Sequence, residues 1–197
     1  MMKKLLGSAV VVATMFAGPA AANAAVSHSY SITPTTFNKG NNVAMMMPVL
    51  KGSHTASVNK QIKAFNKQTY KAFVKDYGKS KHAAYDFGYT VLTNNNKYLS
   101  LKVTATTTAG DSASQSRYYT INKLYGRQVN MKDLFKKKDF KVMVNKAIKK
   151  QAKGTSFTSV NTKTNFYMNK HNKLVVVFDE GQIAPYSQGE LQYTVNI

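Results

Sequence analysis

Between Thr55 and Tyr77 the hydrophobic period changes from that of a strand to that of a helix, and this switch constrains the fold more than any other feature. Val58, Ile62, Phe65, Ala72 and Phe73 recur on one helical face, with Thr69 filling the gap. Lys60, Lys63, Lys67, Lys71 and Lys75 recur on the opposite face. The pattern predicts a helix capped by Thr55 or Ser57 and closed at Gly78. A second amphipathic segment, from about Asp139 to Lys153, would bury Phe140, Met143, Val144, Ala147 and Ile148. Its outer face carries Lys146, Lys149, Lys150 and Lys153, and Gly154 ends it. The two helices share an echo, VNKQIK at 58–63 and VNKAIK at 144–149, which hints at a duplicated helix-then-sheet unit.

Everything between and around these helices alternates or runs extended. VSHSYSITPTTF reads as a strand ending near Pro34, and VAMMMPVLKG as a second extended run. HAAYDFGYTVLT and KYLSLKVTATTTA read as a hairpin through the asparagines 94–96. SRYYTINK follows the turn at Gly110-Asp111, and the chain turns again through Gly126. Asn130 precedes Asp133 by three residues, a capping-box start for the short turn MKDLF. TNFYMN, KLVVVFD and ELQYTVNI supply three closing strands. The expected fold is therefore α+β, with antiparallel sheet packed against two amphipathic helices.

The first 24 residues have the three parts of a signal peptide: Lys3 and Lys4, an apolar core from Leu5 to Ala17, and the small-residue site Ala22-Asn23-Ala24. The expectation is a secreted chain whose mature part, 25–197, is one domain, or two lobes of about 25–123 and 124–197. No segment of that part is apolar enough to predict a membrane span. With no cysteine, disulfides and thiolate chemistry are excluded. Without Lys3 and Lys4 the chain carries 26 basic and 8 acidic side chains, a net charge near +18. A magnitude of about 2–8 is usual for a small domain. Such an excess favours polyanionic partners, which outside a cell include teichoic acids, anionic lipid head groups, acidic glycans and DNA. No groove-reading motif is present, so sequence-specific nucleic-acid binding is not expected.

Catalytic signals are sparse. No nucleophile elbow occurs, and His28, His54, His82 and His171 lack metal-ligand spacing, so neither a metal nor a cofactor is expected. Three of the eight acids crowd into DEGQIAPYSQGE, Asp179 to Glu190. Asp179 and Glu180 would point to opposite faces of an extended segment, and Glu190 could approach either across the loop. Two such acids could serve a glycan-cleaving enzyme. Against this, Gly181, Pro185 and Gly189 punctuate a structured turn in which Tyr186 could bury its ring and bond through its hydroxyl.

FYMNKHNKLVVVFDEGQIAPYSQGELQYTV (166–195), LYGRQVNMKDLFKK (124–137) and MPVLKGSHTASVNKQIKAF (47–65) carry a family resemblance. Together they resemble the RsiV-like extracytoplasmic family built on the domain of unknown function 3298. That domain is also found beside the catalytic domain of certain peptidoglycan deacetylases. The family-motif loop maps onto Phe178, Asp179, Gln182, Ile183, Ala184, Pro185 and Tyr186. The family's Gly-Gly-Ala-His turn is replaced by TAGDSASQSRYYTIN, which keeps the tyrosines and lacks the second glycine and the histidine. The resemblance implies an envelope-linked α+β interaction domain, in one branch responsive to lysozyme.

Three readings follow. The first is a secreted, non-catalytic domain held to anionic cell-wall polymers or peptidoglycan by Lys60, Lys63, Lys67, Lys71, Lys75, Lys146, Lys149, Lys150 and Lys153. The second is a sensor or inhibitor of a wall hydrolase. The third is an enzyme on wall glycan using Asp179 or Glu180 with Glu190.

Overall fold

The computed structural model describes residues 27–40, 42–135 and 139–197. The signal-peptide expectation lies outside the described residues. Strand β1 (Ser31–Lys39) leads to β2 (Val43–Lys51) and helix α1 (Thr55–Tyr77). Then come β3 (Ala84–Asn94), β4 (Tyr98–Ala109), β5 (Asp111–Asn122) and β6 (Arg127–Gln128). Helix α2 (Phe140–Lys149) precedes β7 (Asn165–Met168), β8 (Leu174–Phe178) and β9 (Leu191–Val195). The architecture is α+β, as the sequence predicts.

The first six strands form one sheet in chain order, antiparallel except where Val43–Met45 of β2 run parallel to Tyr85–Phe87 of β3. A parallel pair needs a crossover, and α1 supplies it. The helix lies on the face bearing Val43, Met45, Tyr85, Phe87, Leu99, Leu101 and Val103, into which it sends Val58, Ile62, Phe65 and Phe73. Ala72, expected on this face, is exposed. The buried line runs through 65, 69 and 73 in steps of four, and a residue one position off that line is turned about 100° away. Thr69 belongs to the core because its hydroxyl meets Tyr85 Oη at 2.7 Å and donates to the Phe65 carbonyl at 3.0 Å.

The helix N-terminus corrects the expected cap. His54 is the N-cap, in a left-handed conformation with φ 53°. Thr55 Oγ1 instead donates back to the Gly52 carbonyl at 3.2 Å. Strand β1 also runs past Pro34, because it is the sheet's edge, where a residue without an N–H removes no ladder bond.

The last three strands form a second antiparallel sheet, β7-β8-β9. Leu174, Val176 and Phe178 of β8 join Val144 and Ile148 of α2 in a second core. Val175 and Val177, on the other face of β8, are buried as well. Helix α2 is shorter than the pattern predicts. It ends at Lys149, since the Gln151 and Ala152 amides both turn back onto the Ile148 carbonyl at 2.8 Å. Gln151 Nε2 then reaches the Thr194 carbonyl at 3.0 Å, which ties the helix end to β9.

The two sheets meet through the polar face of β4 and β5. Ser100 Oγ donates to the Met168 carbonyl at 3.1 Å and accepts from the Met168 amide at 3.2 Å. The same hydroxyl touches Thr120 Oγ1 at 3.1 Å. Further out, Thr104–Ser116, Thr106–Ser114 and Thr108–Ser112 pair hydroxyls across the hairpin at 2.9–3.1 Å.

Candidate functional site

The lysines named from the sequence are all at the surface. Lys60, Lys63, Lys67, Lys71 and Lys75 are exposed along α1, and Lys146, Lys149 and Lys150 along and just past α2. Lys153 is exposed too, in the turn after the helix rather than on it. Among the described residues none of the nine has a carboxylate within 4.0 Å, and the ion pair found is Lys102–Glu190. Val142, 62% exposed, sits with Asn145, Lys146, Lys149 and Lys150 around an open depression on α2.

The acidic loop is built differently from what its sequence suggests. Phe178 is core, edge-on to Phe157 at 5.4 Å and to Tyr193 at 5.9 Å. The Asp179 amide donates to Gln182 Oε1 at 3.0 Å, and the Gln182 amide donates to the Asp179 carbonyl at 3.0 Å, so the turn closes on itself. Ile183 is buried, and its carbonyl accepts from the Ser156 amide at 2.8 Å and from Ser156 Oγ at 3.1 Å. Ala184 is half-buried, and Pro185 leads into a 3-10 turn. Tyr186 corrects the expectation of a buried ring, since it is 76% exposed. Its ring lies over Gly181, where a Cβ would come within 2.6 Å of it and where φ is +71°. Only glycine meets both demands without strain.

Glu180 is exposed, whereas Glu190 is held from three sides. Lys102 Nζ donates to its Oε2 at 2.8 Å, Tyr118 Oη to the same oxygen at 2.7 Å, and Gln192 Nε2 to Oε1 at 2.8 Å. Tyr118 stacks on Tyr167 at 5.9 Å, and Tyr167 Oη donates to Gln192 Oε1 at 3.0 Å. Burial raises the Glu190 pKa, but the bonds from Lys102, Tyr118 and Gln192 outweigh it and hold the carboxyl below its ordinary range. Asp179 goes the other way. Burial raises it more than Arg117 and the long 3.4 Å contact from Asn165 lower it. The Tyr118 phenol is pushed up by burial and by its bond to Glu190.

This cluster clasps one sheet to the other: Lys102 and Tyr118 belong to β4 and β5, Tyr167 to β7, and Gln192 to β9. Glu190 is kept anionic with both oxygens engaged, which suits a structural tie better than a proton donor. Sequence reasoning missed Lys102, Tyr118, Tyr167 and Gln192. The signal was Ser100-x-Lys102-x-Thr104, a polar alternation that normally marks a solvent face and here lies partly under the second sheet. Among the described residues no three His, Cys, Asp or Glu side chains gather as a metal site. His28 Nδ1 lies 3.0 Å from Ser53 Oγ. No helix among the described residues is long and apolar enough to cross a membrane.

Comparison with known proteins agrees with this architecture. Residues 132–197, which hold α2 and the second sheet, match the family described as "Protein of unknown function (DUF3298)". The chain is 28% identical over 158 residues to the anti-sigma-V factor RsiV of Bacillus subtilis (strain 168). That match covers 71% of this chain and 55% of RsiV, so the chain spans about half the length of this curated relative. The crystal structure of a DUF3298 family protein from Pseudomonas aeruginosa PAO1 shares the fold. It aligns with a TM-score of 0.54 at 9% identity, covering 85% of this chain and 89% of that one. A DUF3298 family member from Bacteroides fragilis aligns with a TM-score of 0.49 at 10% identity, covering 85% and 90%. The family match and the RsiV alignment together make this chain similar to RsiV over 158 residues, with a DUF3298 match confined to residues 132–197.

Proposed function

We propose that this chain is an extracytoplasmic binding domain that associates with anionic cell-wall polymers through its two lysine faces, without turning its partner over. One observation carries the reading: nine exposed lysines on and beside α1 and α2, none with an acidic partner among the described residues. Lys63, Lys67, Lys71 and Lys75 follow one another at i,i+4. Like charges at that spacing cost a few tenths of a kcal/mol each. A helix that keeps such a row, unrelieved by acids, preserves a cationic surface at the expense of its own stability. Long-range attraction and counterion release then give affinity without a shaped pocket. Export through residues 1–24 and a place at the cell wall belong to the same proposal.

The test is retention on purified walls during a salt titration, with walls stripped of their anionic polymers alongside. Release by about 1 M salt, where screening reaches about 3 Å, is the expected result. Retention indifferent to salt, or equal on stripped walls, sinks the reading.

The relationship to an anti-sigma factor supports a second reading, in which the domain senses or inhibits a wall hydrolase such as lysozyme. Common lysozymes are themselves basic, and two cationic surfaces repel. A pull-down with muramidases of differing charge therefore separates the readings. Capture of an acidic or neutral muramidase supports the second, and capture of none removes it.

A further inference from the structure

A cleft of about 380 Å³ opens between α1, β5, residues 128–130 and residues 162–166. It lies beside the acidic loop, since its Asn165 contacts Asp179 at 3.4 Å and its Tyr118 bonds Glu190 at 2.7 Å. None of its lining residues is acidic, yet it holds two cations, Arg117 and Lys163. Neither has a carboxylate within 4.0 Å among the described residues. The Arg117 guanidinium lies over the Phe65 ring, 5.2 Å from its centre, and Nη1 donates to the Ser116 carbonyl at 3.1 Å. Arg117 is exposed, so its remaining guanidinium donors are accessible to a carboxylate, which a planar fork suits. Across the cleft, Gln61 Nε2 donates to Gln128 Oε1 at 2.9 Å and to Ser57 Oγ at 3.2 Å. Gln61 Oε1 and Gln128 Nε2 have no partner among the described residues. One free acceptor beside one free donor is the complement of an amide group.

We propose that this cleft binds a ligand that carries a carboxylate next to an N-acyl amide, with Arg117 on the carboxylate and the Gln61–Gln128 pair on the amide. The volume suits a short peptide end or a single N-acylated sugar acid. The site is separate from the lysine faces and does not rest on the polymer-binding reading.

Three probes test it on the full mature chain by side-chain amide NMR: N-acetyl-alanyl-alanine, its C-terminal amide, and N-acetylmuramic acid. At least one of the two acids is expected to give saturable shifts at Gln61 and Gln128, and which one does so identifies peptide or sugar as the source. The C-terminal amide and the R117A protein should each bind about tenfold more weakly or worse, because the charge-assisted fork is lost. R117K, which keeps the charge without the fork, serves if R117A fails to fold, and it too should bind more weakly. Replacing Lys146, Lys149 and Lys150 with Gln should change nothing. The proposal is overturned by no saturable shift from either acid up to about 10 mM, the weak end of small-ligand affinity. Equal binding of the C-terminal amide, unchanged binding by either Arg117 variant, or loss of binding in the lysine variant would overturn it as well.

Discussion

Two carboxylates near the end of the chain titrate in opposite senses because their surroundings differ. Glu190 is held below its ordinary value of 4.5 by Lys102, Tyr118 and Gln192. A lowered carboxylate adds stability above the unfolded value and loses it as pH falls through the folded one. Asp179 is raised above 3.8 by burial, so the folded state binds its proton more tightly and gains stability as pH falls. E190Q should therefore cost about 1–3 kcal/mol at pH 7 and flatten the loss of stability below pH 4.5. D179N should be neutral or stabilising at pH 7 and leave a steeper acid loss. Denaturant melts across a pH series distinguish the two. Thr93 offers a simpler test at the same scale: its hydroxyl is buried and without a hydrogen-bond partner among the described residues. T93V, nearly equal in shape, should stabilise by about 1 kcal/mol in the same measurement.

The helices share more than a pattern of letters. Val58 and Val144 are both 0% exposed, as are Ile62 and Ile148. The asparagine after each valine pins a neighbouring extended segment. Asn59 Oδ1 accepts from the Leu50 amide at 2.9 Å, and its Nδ2 donates to the Leu50 carbonyl at 2.8 Å. Asn145 Oδ1 accepts from the Val160 amide at 2.8 Å. The six-residue echo thus encodes one device used twice: two apolar anchors, an amide clamp and a lysine rim. N59A removes two clamp bonds and N145A one, so N59A should cost more. Each loss should fall at about 1–3 kcal/mol for backbone groups left unpaired, as read by thermal melts.

For the whole molecule, 28 basic against 8 acidic side chains set the long-range field, and the two sheets determine which of them meet. Replacing Lys63, Lys67, Lys71 and Lys75 with Gln should move elution from anionic walls to lower salt. Melting temperature should hold or rise slightly, since i,i+4 repulsion is relieved. Weakened binding with an unchanged fold is what the electrostatic reading requires, and unchanged elution counts against it.

Local periodicity made both helices, the strand runs and the exposed lysine faces legible, because those depend only on neighbours three, four or two positions away. It placed the first helix at Thr55–Tyr77 and overran the second by the residues that turn back onto Ile148. Tertiary structure alone decided what covers the polar stripe of β4. Lys102 and Glu190 are 88 positions apart, and no spacing rule links them. An alternating strand shows which residues share a face, but whether that face meets water or another sheet depends on chain folded much later in the sequence.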